Sequence, residues 1–221
     1  MTTARKGYKG VAMEGPIASW YARNTGRDLR RFERTAAALR GRLAPGASVL
    51  EVAPGPGYLA VELARSGYRV TAVDISRSFV RIASENAARA GVAIDVREGD
   101  AAHLPLPDAA FDLVVCMAAF KNFSDPVGAL DEFHRVLCPG GTASIFDLRK
   151  DAPAHEIARE VDEMRLTPWN AALTRLTFRF LLLPTAYRRA DLERMAARSR
   201  FGGGEIHADG IGFELRLARS R

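Results

Sequence analysis

Apolar and polar positions change period repeatedly along this 221-residue chain, and the changes mark out its elements. From Val49 onward, short apolar runs alternate with stretches whose apolar residues recur every three or four positions. That alternation predicts parallel strands joined by crossover helices. "SVLEVA" predicts the first strand, and "YLAVELARSG" a helix stopped at Gly67. "RVTAVDI" predicts the second strand. "RSFVRIASENAARAG" predicts a helix with Ser76 as N-cap and Gly91 as its stop. "IDVREGD" and "FDLVVCMAAF" predict the third and fourth strands, and "TASIFDL" the fifth. Before the fifth, "DPVGALDEFHRVLCPGG" predicts a helix ending at Pro139-Gly140-Gly141.

The flanks follow a different rhythm. Residues 16–43 read as helix, rich in Ala and Arg. Residues 151–183 read as one or two helices interrupted near Thr167-Pro168, and "RRADLERMAARSR" as another. "GGGEIHADGIGFELRLAR" carries turn residues at its centre and predicts an antiparallel hairpin. The expected architecture is α/β. Five parallel strands and a C-terminal antiparallel hairpin make a seven-stranded sheet with helices on both faces. We expect a single domain over 1–221, with an N-terminal helical cap (1–47), a core (48–148), a helical insertion after strand 5 (149–187), and a last helix and hairpin (188–221).

Composition narrows the class. At 48% hydrophobic residues the chain can bury one large core. No run approaches the ~18 apolar residues of a membrane span, and "MTTARKGYKG" has no apolar stretch behind it. Cys116 and Cys138 stand apart with no metal-ligand spacing. The expectation is a cytoplasmic protein with no membrane partner and no metal, as a monomer or homodimer. The net charge of +6 is uneven: residues 1–47 hold ten Lys+Arg against three acids, and residues 48–148 hold eight against thirteen. The cations are dispersed, with no basic tract interleaved with aromatics, so nucleic acid is not the expected partner.

The densest chemistry lies in "SVLEVAPGPGYLAVELARSGYRVTAVDIS". Gly55 and Gly57 follow a strand and open a helix, the arrangement that lets a nucleotide approach backbone N–H groups. Two tenants fit, a nicotinamide dinucleotide or S-adenosylmethionine. "GPGYLA" satisfies the dinucleotide pattern, and both readings use Asp74, at the end of the second strand, for ribose hydroxyls. Glu51 separates them. An acid inside the first strand repels a pyrophosphate but suits the ammonium of an amino-acid moiety. Asp100, ending the third strand, is placed to accept from an adenine amino group, with the Ala101 N–H beside it.

With "VLEVAPGPGYLA", "VTAVDIS", "GDAAHLPLPDAAFDLVV" and "ALDEFHRVLCPGG" in order, the chain resembles the class I S-adenosylmethionine-dependent methyltransferases. Within them it resembles the small-molecule and ubiquinone-type branch. The resemblance spans Val49 to Leu148 and implies a Rossmann-like fold. It also implies that Glu51, Ala53, Gly55 and Gly57 line the methionine and ribose end, that Asp74 takes the ribose hydroxyls, and that Ile75 packs on adenine. Asp100 and Ala101 would read the adenine edge. Cys116 and Met117 would reach the methionine part, mainly through backbone groups. Where the family usually has glycine and a small residue, this chain has Ala53 and Pro54. That departure tightens the turn and removes one backbone N–H.

The implied activity is in-line transfer of a methyl group to a small, apolar or aromatic metabolite, without metal. Alignment and exclusion of water supply most of the catalysis, so no dyad is required. Acceptor contacts are expected from the flanks: Trp20 and Tyr21, the loop Phe120, Lys121 and Asn122, and Trp169. His155 is the candidate base, and Tyr21 is the other candidate catalytic residue. Two alternatives are an RNA methyltransferase guided by the arginine-rich N-terminal helix, and a non-catalytic cofactor-binding protein of the same fold.

Overall fold

The computed structural model describes residues 7–9, 12–26, 29–165 and 167–221. Two helices, α1 (Gly15–Thr25) and α2 (Arg30–Arg40), precede the first strand. The core runs β1 (Ser48–Val52), α3 (Tyr58–Arg65), β2 (Arg69–Asp74), α4 (Arg77–Ala90), β3 (Ile94–Glu98), β4 (Phe111–Met117), α5 (Pro126–Val136) and β5 (Leu137–Leu148). The insertion holds α6 (Ala154–Glu163) and α7 (Pro168–Thr177), and α8 (Arg189–Arg198), β6 (Glu205–Asp209) and β7 (Gly212–Ala218) close the chain.

The seven strands lie in the order β3-β2-β1-β4-β5-β7-β6. The first five are parallel, and β7 runs antiparallel to both β5 and β6. This is the expected sheet. β1 and β4 sit in the middle and read as continuous apolar runs because both of their faces are covered. On one face Leu50, Val52, Val114 and Ile145 pack against Leu130 and Phe133 of α5 and Leu192 of α8. On the other, Val49, Leu113 and Val115 pack against Phe32 and Leu39 of α2 and Leu59 and Leu63 of α3. Helix α1 rests on α4, with Ala18 and Ala22 against Phe79 and Ile82.

The helix ends follow their local chemistry. The Ser76 hydroxyl accepts the Phe79 N–H at 3.1 Å, capping α4, and Gly91 ends it at φ 69°. The Asp125 carboxylate accepts the Gly128 N–H at 2.9 Å at the start of α5.

Two expectations are corrected. The helical reading of 16–43 resolves into two helices, because α1 packs on α4 and α2 on α3, and one straight rod cannot reach both. The fifth strand begins at Leu137 rather than Thr142. Its Pro139-Gly140-Gly141 step is a bulge inside the strand, with pairing passing from Phe111↔Leu137 to Leu113↔Thr142. Gly140, at φ 82°, permits that step.

Candidate functional site

In an open parallel sheet the two strands whose crossovers run in opposite directions part at their C-terminal ends, and a crevice opens there. In this sheet they are β1 and β4. Pairing of β4 with β1 ends at Val115↔Glu51, whereas its pairing with β5 continues to Met117↔Phe146. The glycine turn leaves β1 at this crevice.

The turn is built from left-handed residues. Ala53 stands at φ 56°, Gly55 at 55° and Gly57 at 77°. Ala53 therefore adopts the conformation that glycine adopts freely, at a steric cost of about 1–2 kcal/mol. It is held there by its N–H, which donates to the Val73 carbonyl at 2.8 Å. Gly57 has a second reason to lack a side chain, since a Cβ there would lie 2.9 Å from Ala83 Cβ on α4. A Cβ on Gly55 would meet nothing within 4 Å. It is the place where another molecule can approach the backbone.

Two buried carboxylates face the turn. Glu51 is 2% exposed, and its Oε2 is buried without a hydrogen-bond partner. Burial pushes its carboxyl up to about 8, partly offset by the Ala60 amide, and the nearby Asp74 adds to the rise. An orphaned buried acceptor signals a missing donor. Asp74 is 4% exposed and binds the chain itself: Oδ2 accepts the Gly55 N–H at 3.0 Å and Oδ1 the Ser76 N–H at 2.9 Å. Burial raises it to about 6 against these bonds. Each oxygen retains acceptor capacity for a hydroxyl.

Asp100 and Ile75 lie farther along the same edge. Asp100 accepts the Ala102 N–H at 3.0 Å through Oδ1, and Ala101 packs partly buried against the core. Both Asp100 and Ile75 are approached by Gly7, where a Cβ would overlap the Asp100 carboxylate and the Ile75 side chain. The N-terminal segment thus crosses the site as a strap. Lys9 N–H donates to the Asn122 carbonyl at 2.7 Å and Ser124 N–H to the Gly7 carbonyl at 3.3 Å. Met13 and Glu14 continue the strap onto α4: the Met13 carbonyl accepts from Ser76 Oγ, and the Glu14 carboxylate accepts from Arg77 N and Ser78 N. Tyr8 lies within electrostatic reach of Asp74 and Tyr21, and burial first, then Asp74, raises its phenol above the usual value.

Beyond β4 lie the residues expected to contact an acceptor. Phe120 is fully buried, its ring 5.5 Å from that of Phe123 and 5.9 Å from that of Tyr187. The Lys121 ammonium donates to Asp147 Oδ1 at 2.8 Å, and the Lys121 N–H donates to Asp147 Oδ2 at 3.0 Å. The side chains are 12% and 1% exposed, so this is a buried ion pair. The Cys116 side chain is buried in the core, and burial, then Asp147 and Glu51, pushes its thiol well up. Met117 packs partly buried on the opposite face.

The other sequence candidates fall elsewhere. Tyr21 is half-buried, edge-on to Phe79 at 5.8 Å between α1 and α4. Trp20 is 60% exposed and Trp169 80% exposed. The expectation of His155 as a base is corrected by its placement: its side chain is 77% exposed, and the neighbouring charge is Glu156, 3.7 Å away. A solvated imidazole in the first turn of α6 is not held against a buried reacting atom. Asp147, Tyr187 and Gly7 were not singled out in the sequence. An acid inside the apolar run "TASIFDL" was the available sign of Asp147. Among the described residues no cluster of His, Cys, Asp and Glu is arranged to hold a metal ion.

Residues 50–145 match the family model described as a methyltransferase domain. The demethylmenaquinone methyltransferase of Deinococcus radiodurans is 42% identical over 95 residues, covering 42% of this chain and 39% of that protein. The ubiquinone/menaquinone biosynthesis C-methyltransferase UbiE of Cupriavidus pinatubonensis is 34% identical over 128 residues, covering 57% and 53%. The chain thus spans about half the length or less of these curated relatives. Among solved structures, one from Methanococcus maripaludis, provisionally assigned to the S-adenosylmethionine-dependent methyltransferases, superposes with a TM-score of 0.77. It is 18% identical and covers 100% of this chain and 98% of that one. An S-adenosylmethionine-dependent methyltransferase from Aquifex aeolicus superposes with a TM-score of 0.65 at 18% identity, covering 86% and 98%. At these identities the likeness establishes the fold.

Proposed function

We propose that the chain, whose residues 50–145 match the methyltransferase-domain family model, binds S-adenosylmethionine at the β1–β4 crevice and methylates a small aromatic acceptor. The carrying observation is Glu51, whose buried, unpartnered oxygen beside a left-handed glycine turn asks for a cationic donor. The amino group of a methionine moiety is such a donor. A pyrophosphate, the other candidate for the turn, would bring negative charge onto a buried acid.

The bound cofactor would supply an activated sulfonium methyl. The chain's own work is placement. Glu51 would take the ammonium, Gly55 would let the ligand approach the backbone, and Asp74 would accept from ribose hydroxyls while fixing the turn. Ile75 and Asp100 would hold the adenine. Tyr187 and the Lys121–Asp147 pair stand on the acceptor side, where the half-buried Tyr187 would supply aromatic surface and the pair a fixed dipole, while Phe120, fully buried beneath them, would support the Tyr187 ring without touching the acceptor. The strap lying over this edge would exclude water and align the reactants.

The relatives named for demethylmenaquinone and for ubiquinone and menaquinone biosynthesis support an aromatic ring of quinol type as the acceptor. Calorimetry with S-adenosylhomocysteine and with NADH tests the cofactor. Tight binding of the first, lost in Asp74→Ala, is expected; binding of NADH alone would overturn the reading. Turnover with labelled cofactor and a series of reduced naphthoquinones then tests the acceptor.

A further inference from the structure

Helix α7 buries none of its residues under the rest of the protein. It nevertheless carries Trp169, Leu173 and Leu176, and the π-helical turn Phe178–Leu182 that continues it carries Phe180. The spacings of four, three and four residues put these side chains on one face, within about 60° of arc at 100° per residue. All four are exposed, at 80%, 55%, 54% and 63%. The opposite face is the half-buried one, formed by Ala171, Thr174 and Phe178, and Phe178 packs towards Ile157, Leu183 and Ile211. The helix is therefore docked by its less apolar face and shows its most apolar face to the outside. Solvation alone does not select that arrangement.

Charge identifies the occupant. Between Met164 and Arg189 the sequence holds five arginines (Arg165, Arg175, Arg179, Arg188 and Arg189) and no Asp or Glu. All five are exposed. Arg175 and Arg179 both lie along one side of the apolar stripe, and the Arg179 guanidinium lies over the Phe180 ring, 5.6 Å from its centroid, at the border between apolar and charged surface. Arg175 also pairs with Asp162, itself largely exposed. A second copy of this chain would set this cationic rim against an identical one, and an ordinary protein surface offers no continuous field of anions. An anionic lipid surface offers both an apolar layer for the stripe and phosphates for the rim.

We infer that the α7 stripe docks the protein on an anionic lipid bilayer, with Trp169, Leu173, Leu176 and Phe180 in the acyl–headgroup boundary and Arg175 and Arg179 on the phosphates. No helix of the described residues is long and apolar enough to cross a membrane. The contact is parallel to the surface and requires no span. It does not depend on the methyl-transfer reading and is measured without turnover.

The chain has two tryptophans, so a Trp20→Phe variant leaves Trp169 as the sole indole reporter on the stripe. With vesicles of phosphatidylcholine and phosphatidylglycerol at seven to three, the Trp169 emission is expected to shift to the blue and the protein to sediment with the vesicles. Pure phosphatidylcholine should bind it at least tenfold more weakly. Arg175→Gln and Arg179→Gln are each expected to weaken binding about fivefold. Leu173→Ser/Phe180→Ser, at exposed positions, should abolish binding while leaving the circular dichroism and melting temperature unchanged. The inference is overturned if the anionic vesicles leave the protein in solution. It is equally overturned if Leu173→Ser/Phe180→Ser binds as tightly as the parent, which would assign attraction to general basicity. A concentration-dependent blue shift without lipid, matched by a dimer in sedimentation velocity and lost in the same variant, would assign the stripe to a second copy instead.

Discussion

Gly55 donates its backbone N–H to Asp74 Oδ2 at 3.0 Å, so the turn after β1 and the acid ending β2 hold each other in place. Asp74 thus has a structural duty as well as the proposed ligand duty. Asp74→Asn keeps an acceptor for only one of the Gly55 and Ser76 N–H groups, so it should cost the turn less than Asp74→Ala while weakening S-adenosylhomocysteine binding about tenfold. Asp74→Ala strands two backbone N–H groups and should also lower stability by about 1–3 kcal/mol. Calorimetry and urea denaturation on both variants separate the two duties.

Glu51 predicts a pH dependence. Burial raises its folded-state value from 4.5 to about 8, and Asp74 rises from 3.8 to about 6. Across this range the folded chain holds protons that the unfolded chain has released, so stability falls as pH rises. Between pH 6 and 8 the fall belongs chiefly to Glu51. Glu51→Gln should flatten the urea midpoint over that window and raise it near pH 8. The same variant should lose affinity for S-adenosylhomocysteine. Binding to the parent at pH 7 should release a proton, visible as a dependence of calorimetric enthalpy on buffer ionisation heat, and that dependence should vanish in Glu51→Gln.

Ala53 predicts a stabilising substitution. Ala53→Gly releases the strain of φ 56° but adds freedom to the unfolded chain, for a net gain of up to about 1 kcal/mol. Ala53→Val, β-branched at a left-handed position, should lower the melting temperature instead. Differential scanning calorimetry distinguishes the signs.

The Lys121–Asp147 pair predicts non-additivity. Lys121→Met leaves Asp147 buried and uncompensated and should destabilise by about 3 kcal/mol or more. Lys121→Met/Asp147→Leu should recover only part of that loss, because removing both charges removes the penalty for burying them while the Lys121 and Leu148 N–H groups that Asp147 accepts lose their partner. A double-mutant cycle in urea measures the coupling.

Much of this was legible in the sequence, for physical reasons. Central strands are buried on both faces, so "SVLEVA" and "FDLVVCM" could hardly be anything but strands, and Ser76 and Gly91 mark the ends of α4 by their own conformational preferences. The crevice acids Glu51 and Asp74 were legible because an acid inside or at the end of an apolar run is costly without a purpose. What the sequence hid is pairing over long distances. Lys121 and Asp147 are 26 residues apart and Gly7 and Asp100 are 93 apart; no periodicity joins them. Pro139-Gly140-Gly141 misled because glycine and proline mark a bulge inside a strand as readily as a turn outside one. Trp169 misled because an aromatic residue in a flank was expected to line a pocket, and this one faces outward.

The strap of residues 7–9 joins the backbone of 122–124, and the same strap lies on Asp100 and Ile75. One ribbon therefore borders both the proposed adenine end and the proposed acceptor loop. Opening one of these proposed compartments would disturb the other, so the two ligands would not come and go independently. The expected kinetic signature is compulsory order: cofactor enters first and its spent form leaves last, so S-adenosylhomocysteine competes with the methyl donor and is non-competitive against the acceptor.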